Sequence, residues 1–226
     1  MPPHDSVQAG TFNHIETTIL EASIPHVPAH GFTQTTLSMG ARDSGYLDAS
    51  VNIFPRGAFS LVHFHLVQQR LALGQASQLL EKSNADQKPL GTGARVKALT
   101  WARLLGNADI VHRWQEALAL VAQPSNIPTS ISELSALSDE IWFLSGDTSV
   151  DSSWYTKRAS LSTIYAATEL YMTTDKSPGF QQTQEFMDRR FKDVQILGGT
   201  AGSIGQWVGF TAHAGLNVLR SKGIRL

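Results

Sequence analysis

The fold is decided by residues 153–174, which read SWYTKRASLSTIYAATELYMTT. The apolar side chains of Leu161, Ile164 and Tyr165 recur there at the three- and four-residue spacing that marks one face of an α-helix. No run in the sequence alternates apolar and polar residues as a half-buried strand does. The sequence therefore predicts an all-α protein.

Working outward from this stretch, we predict about ten helices, separated by proline, glycine and polar segments. Their predicted bounds are 13–24, 33–42, 48–54, 57–81, 94–105, 108–121, 130–145, 153–174, 180–197 and 203–221. Thr129 and Ser130 precede Glu133 at the spacing of a capping box, which predicts a helix start at that point. The predicted regions are a disordered N-terminus (1–12), a helix-turn-helix-like region (13–81), a lipid- and partner-binding region (94–197) and a C-terminal amphipathic helix (203–226).

The first eighty residues resemble a TetR-type helix-turn-helix. The resemblance rests on Ile19-Leu20-Glu21-Ala22, His30-Gly31-Phe32-Thr33, Gly40-Ala41, Gly45-Tyr46 and Asn52-Ile53-Phe54-Pro55-Arg56-Gly57. It implies a TetR-regulator-like helical bundle, and one hypothesis is therefore a ligand-responsive transcription regulator. However, residues 1–75 carry three arginines and five carboxylates, and the predicted recognition helix 48–54 has no basic residue. Because DNA affinity depends on neutralising phosphates, we expect no nucleic-acid partner.

Composition excludes several further functions. The 226 residues include no cysteine, so disulfides, thiolate metal sites and a cysteine nucleophile are excluded. Charged residues make up 16% of the chain against about 25% in typical proteins, and the net charge is −1. No lysine or arginine precedes Arg42, whereas Asp5, Glu16 and Glu21 do. Since transit peptides are arginine-rich and poor in acidic residues, an organelle protein with this sequence is expected to be a form without its leader.

The segment 194–219 has no charged residue but contains six glycines. On a helical projection one broad face carries Ile204, Trp207, Val208, Val218 and Leu219, and the opposite side carries Gln206, His213, Asn217 and Arg220. This two-sidedness predicts a helix lying in the membrane surface, with aromatic anchors and a basic end that meets lipid phosphates. The predicted membrane-binding residues are Ile204, Trp207, Val208, Phe210, Val218 and Leu219. The alternative is an ordinary helix that packs on its own domain or on a dimer partner.

The part of the sequence with the most specific motifs is 137–190. Its blocks are Asp139-Glu140-Ile141-Trp142, Gly146-Asp147-Thr148-Ser149, Asp151-Ser152-Ser153-Trp154-Tyr155-Thr156-Lys157-Arg158-Ala159, Ile164-Tyr165-Ala166-Ala167-Thr168-Glu169-Leu170-Tyr171-Met172, Asp175-Lys176-Ser177-Pro178 and Phe186-Met187-Asp188-Arg189-Arg190. Together with Trp114-Gln115-Glu116-Ala117-Leu118 and 124–128, they resemble the family of the ninth accessory protein of mitochondrial coenzyme Q (ubiquinone) biosynthesis. The resemblance runs from about Ile19 to the C-terminus.

The resemblance implies a non-enzymatic, dimeric lipid-binding protein on the matrix side of the mitochondrial inner membrane. Such a protein binds isoprenoid quinone intermediates and phospholipid and presents the intermediates to the di-iron hydroxylase of the pathway. By motif matching, the hydroxylase-binding residues are Asp139, Ile141, Trp142, Asp147, Asp151, Trp154, Tyr155 and Arg158. Without the resemblance, Asp147 and Asp151 are equally explained as acidic residues that favour a helix N-terminus.

An isoprenoid tail needs an apolar cavity between helices. The candidate lining residues are Trp101, Leu104, Trp114, Leu118, Leu161, Ile164 and Tyr165, each of which is also explained as an ordinary core residue. The eight histidines form no Glu-x-x-His or His-Glu-x-x-His pattern, and no Gly-x-Ser-x-Gly elbow occurs. We therefore predict no metal, no cofactor and no catalytic residue.

Overall fold

The computed structural model describes residues 12–83, 90–148 and 153–197. Every regular element in these ranges is helical, which confirms the all-α prediction; the TetR-like arrangement stays a prediction. The α-helices in these ranges are α1 (His14–Ser23), α2 (Val27–His30), α3 (Gln34–Asp43), α4 (Phe59–Leu71), α5 (Leu73–Ser83), α6 (Thr92–Leu105), α7 (Trp114–Val121), α8 (Ile127–Leu144), α9 (Ser153–Met172) and α10 (Gln181–Leu197). Short 3-10 helices cover Ile24–His26, Asp48–Ile53, Ala108–Arg113 and Pro178–Phe180.

The described residues form two compact units. The first contains the chain up to Val67 together with His112–Ile127, and the second contains Gln68–Val111 and the chain from Pro128 onward. The chain therefore leaves the first unit within α4 and returns to it for α7.

In the first unit, α1 begins with a capping box and packs closely on α3. The Asn13 side chain accepts a hydrogen bond from the Glu16 amide at 2.9 Å, and the Glu16 carboxylate accepts one from the Asn13 amide at 2.7 Å. A Cβ atom added to Gly40 of α3 would lie 2.0 Å from Ser23 Oγ and 2.7 Å from the Ile19 carbonyl oxygen. Only glycine therefore permits this approach of the two helices.

The predicted recognition helix 48–54 is a 3-10 helix, Asp48–Ile53, instead of an α-helix. Arg42, at the end of α3, donates hydrogen bonds to both carboxylate oxygens of Asp48. Arg42, the last arginine before this turn, is thus already paired with a carboxylate of the same unit. The expectation that this region binds no nucleic acid stays a prediction.

Two further predicted helices are divided in the structure. The predicted helix 57–81 breaks at Ala72, between α4 and α5. Gly74 follows at once, and glycine costs about 1 kcal/mol relative to alanine inside a helix. The predicted helix 108–121 begins with a 3-10 helix and becomes α-helical only at Trp114.

The predicted capping box at Thr129, Ser130 and Glu133 is wrong. Helix α8 begins earlier, at Ile127, so Glu133 lies inside it. The Glu133 carboxylate accepts hydrogen bonds from Arg70 Nε at 2.6 Å and from Arg70 Nη2 at 3.4 Å, and both side chains are buried. The Glu133 carboxylate, which the local pattern predicted to cap the start of the helix, is therefore paired instead with Arg70, a residue distant in the sequence.

The core of the second unit is built mainly from α6, α8, α9 and α10. Its buried side chains are Leu73, Val96, Leu99, Leu104, Leu137, Ile141, Leu161, Ile164, Tyr165, Met172 and Met187. A buried polar chain crosses this core: Arg103 donates to Asn107, and both Asn107 and the Tyr165 hydroxyl donate to Glu169. Burial raises the pKa of Tyr165 well above its usual value, so its phenol stays protonated.

The Asp175 carboxylate stabilises the segment that connects α9 to α10. Asp175 accepts hydrogen bonds from the amides and hydroxyls of Ser177 and Thr183, at 2.6 to 2.8 Å. Partial burial raises the pKa of Asp175, but the hydrogen bonds from Ser177 and Thr183 outweigh it and lower the pKa to about 2. Tyr171 of α9 stacks on Phe186 of α10 at 4.6 Å between ring centroids, which fixes the alignment of the α9–α10 hairpin.

Within the described ranges, no helix is both long enough and apolar enough to cross a membrane. The predicted amphipathic helix 203–226 and its six membrane-binding residues lie outside those ranges. The predicted disordered residues 1–12 lie outside them except for Phe12.

Candidate functional site

The Trp-Tyr motif occupies the first turn of α9, in the second unit. The ring centroids of Trp154 and Tyr155 are 4.8 Å apart, in an edge-to-face arrangement. The guanidinium carbon of Arg158 lies 3.8 Å from the Trp154 ring centroid, in a cation–π contact. Tyr155 is 73% exposed. The Trp154 ring is therefore held by its neighbours, whereas Tyr155 projects from the surface.

Two basic residues of α9 are paired with two acidic residues that precede the helix. Arg158 Nε donates to Asp139 at 2.6 Å, and Arg158 Nη1 lies 3.5 Å from Asp147. Lys157 Nζ donates to the other carboxylate oxygen of Asp147 at 2.8 Å. With two positive and two negative groups, this cluster is electrically balanced.

Trp142 of α8 connects the ion-pair cluster to the interior. Its Nε1 donates to the Lys157 carbonyl oxygen at 3.3 Å, and Lys157 Nζ lies 5.3 Å from the centroid of its ring. The Asp147 side chain is only 6% exposed. Asp147 thus forms ion pairs with Lys157 and Arg158. Its position in the sequence alone suggested only a favourable interaction with the dipole at the N-terminus of α9.

We call Asp139, Trp142, Asp147, Trp154, Tyr155, Lys157 and Arg158 the docking patch. Of the other predicted hydroxylase-binding residues, Ile141 is fully buried in the core of the second unit, so its side chain is not available to contact a partner. Asp151 lies outside the described residues. The sequence reasoning missed Lys157, although the residue stands inside the Trp-Tyr-Thr-Lys-Arg block.

A largely apolar cavity of about 340 Å³ lies directly beside the docking patch. It is lined by Gly93, Val96, Trp142, Ser153, Thr156, Lys157, Ser160, Leu161, Ile164, Phe191 and Val194. The six α9 residues in this set lie within an arc of about 140°, because an α-helix turns by about 100° per residue. Trp154, Tyr155 and Arg158 lie on the neighbouring arc of the same helix. Helix α9 therefore presents one face to the cavity and the adjacent face to the docking patch.

Two of the predicted lipid-lining residues, Leu161 and Ile164, line this cavity. Leu104 and Tyr165 are buried in the core of the second unit, and Trp101 packs against that core. Trp114 and Leu118 belong to the first unit, where Trp114 is buried and its ring lies 5.7 Å from Phe32 and 5.1 Å from His65.

The sequence reasoning missed most of the cavity wall. On α9, the spacing of Ser153, Thr156, Lys157 and Ser160 continues through Leu161 and Ile164 along one helical face, which was a usable signal. The contributions of α6 and α10 had no such signal, because they depend on how those helices pack. Within the described residues, no group of three or more histidine, aspartate or glutamate side chains is arranged to hold a metal ion.

The fold and the site together define an all-helical protein with an apolar cavity beside an aromatic, ion-paired surface. The COQ9 family model matches residues 127–198, which contain α8, α9 and α10. The mitochondrial ubiquinone biosynthesis protein coq9 of Schizosaccharomyces pombe is 38% identical over 206 residues, covering 91% of this chain and 80% of the relative. The chain belongs to the COQ9 family, as the sequence motifs indicated.

Two animal relatives are also similar to this chain, and both are named mitochondrial ubiquinone biosynthesis protein COQ9. The Drosophila melanogaster protein is 35% identical over 195 residues, and the Homo sapiens protein is 35% identical over 191 residues. These alignments cover 86% and 82% of this chain, but only 60% and 59% of the relatives. The chain thus spans about three fifths of the length of the two animal proteins.

Proposed function

We propose that this chain acts in mitochondrial ubiquinone biosynthesis as a non-enzymatic accessory protein. In this role it binds isoprenoid quinone intermediates and presents them to the di-iron hydroxylase of the pathway. The names of the relatives support the pathway and the compartment. The observation that carries the mechanism is that Trp142 and Lys157 belong to both the cavity wall and the docking patch.

The size and lining of the cavity suit part of a prenylated lipid. Pockets for small molecules typically measure about 300–1,000 Å³ and are mostly apolar, with a few polar groups. At about 340 Å³ this cavity falls at the lower end of that range, so it encloses the ring and first isoprene units instead of a whole polyprenyl chain. The rest of the tail remains available to the membrane.

The docking patch suits recognition by a protein. Tyrosine, tryptophan and arginine are the residues that dominate the binding energy of protein interfaces, and all three occur within five consecutive residues at the start of α9. A hydroxylase seated there is adjacent to the lipid in the cavity. We assign the patch no catalytic step, because its four charged side chains are held in ion pairs with one another.

The cavity proposal is tested by filling the cavity. We expect Gly93→Phe to lower the amount of co-purified isoprenoid lipid at least ten-fold, because Gly93 lines the cavity and a Cβ atom there meets open space. Replacing a helical glycine does not itself weaken the helix. Native mass spectrometry of protein from a ubiquinone-producing host, with lipid extraction, measures the bound lipid.

Gly74→Phe is the matched control. Gly74 is also the second residue of its helix and also faces open space, but it does not line the cavity. This variant should retain the wild-type amount of lipid. Equal lipid content in both variants and the wild type would contradict binding in this cavity, and a wild-type protein free of isoprenoid lipid would contradict the carrier function itself.

We also propose that residues 203–226 bind the membrane surface on the matrix side of the inner membrane, and that the protein acts there as a homodimer. The amphipathic pattern of the segment supports the membrane binding, and the family resemblance supports the homodimer. Replacing both Trp207 and Phe210 with alanine should lower the partition coefficient onto cardiolipin-containing liposomes about ten-fold, because both aromatic rings are predicted anchors. Co-sedimentation measures this, and undiminished binding would refute the role of the segment.

The alternative of a transcription regulator gains no support from the relatives, whose names refer to ubiquinone biosynthesis. The pairing of Arg42 with Asp48 also removes a basic group that phosphate contacts would need.

A further inference from the structure

We propose that residues 189–197, the last turns of α10, are a gate that opens the cavity by unwinding locally beyond Asp188. This inference rests on the proposed lipid-binding function and adds the route by which lipid enters and leaves. It follows from the unequal attachment of the two halves of α10 to the rest of the second unit.

The first half of α10 is firmly attached. Asp175 accepts hydrogen bonds from the Thr183 amide at 2.8 Å and from the Thr183 hydroxyl at 2.6 Å. The side chains of Thr183 and Met187 are fully buried. At the end of this half, Lys97 Nζ of α6 lies 2.7 Å from Asp188 Oδ1. Moving this half would therefore break buried contacts, hydrogen bonds and an ion pair.

The second half of α10 has no comparable polar attachment. Arg189 Nη1 lies 3.9 Å from Glu185 Oε2, and Arg190 Nη2 lies 3.1 Å from Asp193 Oδ2, so both arginines pair within their own helix. In the part of the chain that the structure describes, no side-chain hydrogen bond or ion pair joins residues 189–194 to another helix. None of these six side chains is fully buried. This half is therefore held on the second unit by apolar contacts.

Those apolar contacts are made by two side chains that also form the cavity wall. Phe191 and Val194 pack against the core of the second unit and line the cavity. A side chain that faces a cavity has no partner atoms on that side, so it gains less dispersion energy than one surrounded by the core. The weakest attachment of α10 thus coincides with the part of α10 that closes the cavity.

Local unwinding disturbs less of the structure than a swing of the whole helix. A swing would separate the rings of Tyr171 and Phe186, whose centroids are 4.6 Å apart, and would break the hydrogen bonds from Thr183 to Asp175. Unwinding beyond Asp188 keeps both contacts. Segments with few buried apolar contacts open locally at a small fraction of the free energy of global unfolding. The geometry therefore favours a gate confined to the second half.

Hydrogen exchange of individual amides, followed by NMR on the full chain, tests the opening itself. The comparison is between residues 185–188 and residues 189–197, because the first amides of a helix lack intrahelical acceptors. We expect the amides of 189–197 to be protected at least ten-fold less than those of 185–188.

Two glycine variants connect the opening to lipid passage. Lys192 and Gln184 are exposed residues of the second and first halves of α10, and neither lines the cavity. Because glycine weakens a helix, Lys192→Gly should speed exchange of the amides of 189–197 about four-fold. It should speed release of preloaded farnesylbenzene to phosphatidylcholine vesicles by the same factor, as followed by native mass spectrometry. Gln184→Gly is the matched control and should change neither rate.

Each contrary result has a distinct meaning. Equal protection of residues 185–188 and 189–197 would overturn the gate. Faster exchange in Lys192→Gly without faster release would also overturn it, because the segment would then open without letting lipid pass. Equal acceleration of release by Gln184→Gly would contradict local unwinding. Protein that shows the expected exchange but takes up no farnesylbenzene would overturn the proposed lipid-binding function and leave the local opening of α10 confirmed.

Discussion

Glu133→Ala is expected to lower the free energy of unfolding by about 3–5 kcal/mol, because it leaves the guanidinium of Arg70 buried without its carboxylate. The two side chains are 6% and 8% exposed, and two hydrogen bonds join them. The loss of an ion pair on the surface changes the free energy of unfolding little, because water solvates the remaining charge. Arg70 is buried, so water cannot replace its missing partner in the same way. Urea unfolding followed by circular dichroism measures the change.

Two comparisons separate the ion pair from a general effect of mutation. The double variant Arg70→Met with Glu133→Leu removes both charges, so it should recover at least half of the stability lost in Glu133→Ala. Glu185→Ala removes a carboxylate from an exposed pair with Arg189 and should change stability by less than about 0.5 kcal/mol. A loss below about 1 kcal/mol for Glu133→Ala would contradict a buried, unreplaced charge.

This ion pair also shows where prediction from the sequence stops. Local rules located the helices, because apolar spacing and the breaks at proline and glycine are properties of neighbouring residues. The capping-box rule is local too, and it failed at Glu133, whose partner Arg70 is 63 residues away in the chain. A single sequence does not contain a signal for a contact at that distance.

In the candidate site, too, the parts formed by residues close in sequence could be predicted and the parts formed by distant helices could not. The docking patch is nearly contiguous in sequence, so motif matching located Trp154, Tyr155 and Arg158 and the acidic residues before them. The cavity needs three helices besides α9 to complete its wall, and only the α9 face has a periodicity that the sequence displays. Trp114, a large apolar residue at helical spacing, was a reasonable candidate for the cavity, yet it packs in the first unit.

Tyr155→Ala is expected to weaken binding to the di-iron hydroxylase at least thirty-fold, which corresponds to the loss of about 2 kcal/mol that defines an interface hot spot. Within the docking patch, Tyr155 is the residue whose replacement tests binding without disturbing the ion pairs. Trp154→Ala would also remove the ring beneath Arg158, whose guanidinium carbon lies 3.8 Å from its centroid, and would disturb the ion pairs with Asp139 and Asp147. Tyr155, at 73% exposed, has no comparable supporting role.

The fold should therefore tolerate Tyr155→Ala, with a change in stability within about 0.5 kcal/mol. Leu47→Ala is the matched control, because Leu47 is 79% exposed and belongs to the first unit. It should leave hydroxylase affinity unchanged, as measured by biolayer interferometry with immobilised hydroxylase. If Tyr155→Ala binds as tightly as the wild type, the exposed ring is no anchor and the hydroxylase does not dock on this patch. If Leu47→Ala weakens binding equally, the loss reflects exposed apolar area in general and not recognition by the Trp-Tyr motif.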